Sequence, residues 1–199
     1  SSKANQLVFE LIYITRLMYN TGFSIRGGIS VGELYNGINI WGPAICNAVD
    51  YEKLAENPCI IIPKADIAML DIASEYSEFF IEVPPEIFLR LTKDNQNSFL
   101  YFDFFGYYFE TVVNDGEDCI PFLSICSKLI REQFHLASDV SIKCKWSFLA
   151  RSLAPVIKQF SDYISAKHTD ATRNGAEKRY KPPEEYLEMI HDAYCFKID

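Results

Sequence analysis

Residues 26–55 read RGGISVGELYNGINIWGPAICNAVDYEKLA, and this stretch decides the fold. Phe23, Ile25, Gly27, Ile29 and Val31 alternate with Ser24, Arg26, Gly28 and Ser30, which predicts a strand over 23–31 with one packed face. Leu34-Tyr35, Asn36-Gly37 and Ile38–Trp41 then read as a hairpin closed by a two-residue type I′ turn, because Asn-Gly supplies the positive φ which that turn demands. An irregular loop is the alternative. Gly42-Pro43 breaks the second arm and starts a helix running to about Ala55, with Ile45, Val49 and Leu54 expected inward.

Working outward, Leu7, Val8, Leu11, Ile12, Ile14, Leu17 and Met18 fall on one broad helical face between Asn5 and Asn20, and Gly22 stops the helix. Downstream, Cys59–Ile62 is a short apolar run bounded by Pro58 and Pro63, the pattern of a buried strand. Helix, strand, hairpin, helix, strand points to an α/β or α+β layer in which helices cover a sheet. Beyond it the sequence predicts a short helix over 64–77, a strand over 79–83, a turn at Pro84-Pro85 and a helical turn or two over 86–93. An aromatic strand region follows over 98–109, interrupted at Gly106. Two amphipathic helices are expected over 121–135 and 139–164, the second with a break at Pro155, then a polar loop over 168–183 and a closing helix from Glu184. The expected organisation is a partial α/β unit over 1–83, with 84–199 an aromatic and helical part of the same domain.

Bulk composition narrows the function classes. The chain has 199 residues, of which 49% are hydrophobic and 15% aromatic, enough apolar material for a sizeable core. A formal net charge of -8 without a dense Lys/Arg run argues against sequence-independent binding to nucleic acid. Six cysteines without a CxxC pair, accompanied by three histidines, do not make a zinc pattern and read as reduced thiols. With no signal-peptide pattern and no apolar run near 18 residues, the expectation is a cytoplasmic protein without a membrane partner. The opening Ser1-Ser2-Lys3 runs straight into a helical pattern, as a segment of something longer would.

The three glycines at 27, 28 and 32 formally satisfy GxxxxG, but Glu33-Leu34 follows rather than Lys-Ser/Thr, so a phosphate-binding P-loop is not supported. No GxGxxG precedes a helix. The glycines suit a strand that another backbone, a ligand or a second subunit approaches closely, or one that simply relieves crowding under a helix.

In order and spacing, Arg26, Gly28-Ile29, Gly32, Ile40-Trp41-Gly42, Ala48 and Glu52 resemble the second half of a class III nucleotidyl cyclase domain. The form Arg-Gly-x-Ile-x-x-Gly-Glu-Leu followed by Gly-Pro-Ala is most similar to compact prokaryotic cyclase-like proteins, including the anti-phage pyrimidine cyclases. Residues 98–150 resemble the C-terminal part of those proteins more loosely. The resemblance implies an α+β, ferredoxin-like antiparallel or mixed sheet with a C-terminal helical extension. It also implies a metal-dependent lyase that turns a nucleoside triphosphate into a cyclic nucleotide and pyrophosphate, in bacterial signalling or antiviral defence. Mg or Mn would be the metal, and a homodimer, or a partner supplying missing strands, the assembly.

Carried over by position, Asn39 stands at the base-recognition position, where its amide could read a base edge, or it is an exposed hairpin residue. The ribose-orienting Asn of the family falls on Cys46, with Asn47 one position away, and its transition-state Arg falls on Asp50, which reverses the charge there. Arg26, Gly28, Gly32, Trp41 and Gly42 would form structural or interface positions. In that family the metal-binding aspartates precede the first helix, which is where this chain starts; Glu33, Asp50 and Asp103 are the remaining carboxylates to weigh. A non-catalytic module of the same fold, binding a nucleotide or a protein, is the alternative, and an unrelated α+β scaffold is a third.

Overall fold

The protein is described from a computed structural model, covering residues 3–70, 72, 77–82, 98–112 and 119–173. It is an α+β chain that divides into two compact units, Ser1–Phe104 and Phe105–Asp199. The boundary drawn at 83 from the sequence falls inside the first unit, because the sheet there takes its third neighbour from residues 99–102.

In the first unit, α1 (Lys3–Asn20) buries Val8, Thr15 and Tyr19. Ile14 and Leu17, expected on the inner face, are exposed together with Phe9 and Tyr13. The helix stops as Gly22 dictates: its φ is 86°, its N–H reaches the Tyr19 carbonyl (3.0 Å), and the Phe23 N–H reaches back to the Met18 carbonyl (2.9 Å). These two bonds cap orphan carbonyls of the last turn, and the left-handed residue between them costs glycine little.

The predicted strand over 23–31 is reduced to β1 (Gly27–Gly28), parallel to β4 (Ile60–Pro63). Gly27 and Ile29 send their N–H groups to the Cys59 and Ile61 carbonyls (3.1 and 2.8 Å). The hairpin forms from β2 (Tyr35–Asn36) and β3 (Ile40–Trp41), with Tyr35 opposite Trp41 and Asn36 opposite Ile40. Its loop therefore holds residues 37–39, and Gly37 does not take a positive φ, so the expected two-residue type I′ turn is replaced by a wider one.

Gly42 carries the positive φ instead, at 148°, and opens α2 (Pro43–Ala55), with Pro43 in the first turn as expected. The inward residues of α2 are Ala44 and Ala55, whereas Ile45 and Val49 are exposed and Leu54 is half-buried. The helix turns its small residues inward because it lies against a glycine strand, where a branched side chain would hold it off.

β4 is buried and central, with sheet order β1-β4-β6-β5. It leads into α3 (Lys64–Met69), shorter than the 64–77 expected. β5 (Phe80–Glu82) matches the predicted strand over 79–83 within the described residues, and pairs antiparallel with β6 (Phe99–Phe102), which pairs antiparallel with β4. The turn and helix expected over 84–93 lie outside the described residues. The aromatic strand region does not run to 109: after Asp103 the chain becomes α4 (Phe104–Val112), passing through Gly106. Five of its residues, Phe104, Phe105, Tyr107, Tyr108 and Phe109, are buried, which a helix achieves on a broad face and an alternating strand would not.

In its described residues the second unit is helical. α5 (Cys119–Leu136) and α6 (Val140–Arg173) pack on one another, and they bury Leu123, Cys126 and Ile130 on the first and Leu149, Leu153, Val156 and Phe160 on the second, spaced at three and four residues on each helix. Tyr108 meets Phe122 (4.5 Å between centroids), and Phe109 meets Phe160 edge-on (6.5 Å). The Asp139 carboxylate accepts the Ser141 N–H (2.6 Å) at the start of α6. Contrary to expectation, α6 is not broken at Pro155 and continues through residues 168–173, read from the sequence as loop. Pro155 is exposed, so the backbone carbonyl that loses its partner one turn earlier lies on the solvent side. The closing helix from Glu184 lies outside the described residues. No described helix is long and apolar enough to cross a membrane.

Candidate functional site

Residues 26, 28 and 30 alternate onto the face of β1 that α2 covers. At its centre the Gly28 backbone meets the helix directly. A β-carbon there would overlap the Ala48 carbonyl oxygen and come within 2.6 Å of the Tyr51 β-carbon and 2.8 Å of the Glu52 nitrogen. Two residues earlier, the Arg26 guanidinium forms an ion pair with the Glu52 carboxylate, both side chains about a third exposed at 39% and 33%. Arg26, Gly28, Ala48 and Glu52, four residues that carry the resemblance, thus meet in one place.

Further along, Tyr51 packs edge-on against Phe99 (5.3 Å, 72°), tying α2 to β6. Burial holds its phenol above the ordinary range, and the nearby Asp66 carboxylate adds to the effect. Asp66, in the first turn of α3, accepts the Val31 N–H (2.8 Å) and so fixes the chain where it leaves β1. Neither Tyr51 nor Asp66 was singled out in the sequence. The available signal was an acid in a helical first turn just after Pro63, which names a helix start but not its distant partner.

At the corner, Gly42 is buried, and a β-carbon on it would come within 2.5 Å of the Glu33 carbonyl oxygen and 3.2 Å of the Leu34 α-carbon. Gly32 makes only ordinary contact with Ala44 (3.5 Å to its β-carbon). Gly28 and Gly42 are therefore occupied by this chain's own backbone.

The positions expected to touch substrate lie elsewhere. Asn39 is exposed in the hairpin loop, its carbonyl accepting the Gly37 N–H (3.4 Å). Cys46, Asn47 and Asp50 are exposed on α2, and the Asp50 carboxylate accepts from Lys53 Nζ (2.9 Å). Cys46 and Asp50 are one helical turn apart, so they share a side of α2, with Asn47 about 100° around the helix from Cys46. No hydrogen bond among the described residues joins Asn39 to any of the three.

The hairpin itself projects. Every residue from Glu33 to Trp41 is exposed, including Leu34, Tyr35, Ile38, Ile40 and Trp41, and Ile38 is wholly in solvent at 103%. Tyr35 and Trp41 stack on one another (4.5 Å, 26°), and the Tyr35 hydroxyl donates to the Glu33 carboxylate (3.1 Å).

A pair of divalent cations needs several converging oxygen ligands. Among the described residues no group of three or more His, Cys, Asp or Glu side chains could hold a metal ion. Glu33 is engaged by Tyr35, Asp50 by Lys53, and Asp103 stands after β6, where its N–H reaches the Phe79 carbonyl (2.7 Å). These residues do not fit a Mg or Mn site. No protein-family model, curated protein or solved structure matches the chain.

Proposed function

We propose that this chain is the framework half of a nucleotidyl cyclase-like protein, acting in the cytoplasm in bacterial signalling or anti-phage defence. The observation that carries the reading is the meeting of Arg26, Gly28, Ala48 and Glu52. Residues scattered over the sequence in the family's order form one strand-to-helix contact, which supports the reading. In the complete assembly the 3′-hydroxyl of a nucleoside triphosphate, a pyrimidine nucleotide by resemblance, would give up its proton and its oxygen would bond to the α-phosphorus while the bond to the β-phosphate breaks and pyrophosphate leaves. The Mg or Mn ligands would come from outside the described residues, and Asn39 would face the base.

Two features support an assembly. β1 is at the margin of the sheet, and the projecting hairpin exposes five large apolar side chains. A homodimer, or a partner that adds strands beside β1, would cover both.

A second reading, a non-catalytic module that binds a nucleotide or a protein through the same fold, is favoured by α2. There Cys46 and Asp50 take the places of an amide and a cation, and Asp50 is paired with Lys53.

The test is incubation of the purified chain with each nucleoside triphosphate and Mn²⁺ or Mg²⁺, with mass spectrometry for cyclic monophosphates and calorimetry for binding. Product whose base changes in Asn39→Ala supports the cyclase reading. Nucleotide binding without turnover fits the module and also a framework half that lacks its metal ligands, and neither binding nor turnover leaves both nucleotide readings without support.

A further inference from the structure

We draw no further inference here: the strongest candidate, the apolar tip where α5 turns into α6, with Leu136, Val140 and Ile142 exposed beside Lys143, carries nothing because nothing in the structure shows what covers it.

Discussion

Gly28 and Ala48 approach so closely that a single methyl group on the strand would occupy the space of the helix carbonyl oxygen. Gly28→Ala therefore forces α2 to lift, and an overpacking cost of about 1–3 kcal/mol is expected. Gly27 is the control: its β-carbon would find the Ile60 side chain at an ordinary 3.7 Å. Gly27→Ala should be neutral or gain about 0.4–1 kcal/mol from a less flexible unfolded chain. Urea midpoints of the two variants separate the effects, and equal midpoints would contradict the packing described.

Gly42 and Gly37 make a second pair. With φ at 148° and the Glu33 carbonyl within 2.5 Å of a would-be β-carbon, Gly42→Ala combines backbone strain with a clash, and a loss of about 2 kcal/mol or more is expected. Gly37→Ala should change the urea midpoint little, because Gly37 lacks a positive φ and a β-carbon would meet its nearest atom at 4.0 Å. A true type I′ turn at Asn36-Gly37 would reverse that order.

The contrast also marks what could be read from the residues. α1, α2 and β4 were legible because their signals are local: a 3.6-residue period, a Gly-Pro corner and an apolar run between prolines. Alternation over 23–31 promised a longer strand than formed, since a strand lasts only as far as its partner pairs, and β4 reaches it only around Gly27–Ile29. The inner face of α2 was misread because Ile45 and Val49 outrank alanine in hydrophobicity, while closeness to Gly28 selects for small size. Phe104–Phe109 was taken as strand from its aromatic content, yet burial of adjacent aromatics decides for helix. At the candidate site, Arg26, Gly28, Ala48 and Glu52 come together at one strand-to-helix contact. The expected substrate positions do not, because convergence of exposed side chains depends on three-dimensional placement that no local pattern encodes.

Alkaline stability follows from three buried protons. Burial pushes the Cys126 and Cys59 thiols well up, with Arg26 pulling back slightly on Cys59. The Tyr101 phenol is raised by burial, then by the Asp103 carboxylate and Cys59. Each folded-state value lies above the unfolded one, so their contribution is complete below the usual thiol range. It is lost as pH rises, because the unfolded chain gives up protons that the folded chain keeps. Urea midpoints should hold steady up to the usual thiol range and fall through it and the phenol range, with a shallower upper limb in Tyr101→Phe. Iodoacetamide with peptide mass mapping should label exposed Cys46 and Cys144 first, and Cys59 and Cys126 only on unfolding. Rapid labelling of Cys126 in the folded chain would overturn the account.

Exposure of Ile38 has its own test. If the hairpin is an assembly contact, Ile38→Asp should weaken self-association roughly tenfold or more, since burying such a side chain is worth about 1.5–3 kcal/mol. Sedimentation equilibrium reads this, and circular dichroism should stay unchanged because the residue touches nothing in its own fold. A monomeric parent chain, or an unaltered association constant in the variant, would remove the hairpin from the interface.

The central position of β4 sets the order in which the first unit can assemble. Gly27 must find Ile60, and Ile61 must find Tyr101; only β5 and β6 are neighbours both along the chain and in the sheet. Loop closure must therefore precede most of the backbone pairing, which slows the search. Until it succeeds, Ile60-Ile61-Ile62 is a bare β-branched segment in water, the kind of stretch through which nascent chains stick to one another. The residues that give the finished sheet its driest strand are thus the ones that make its birth hazardous.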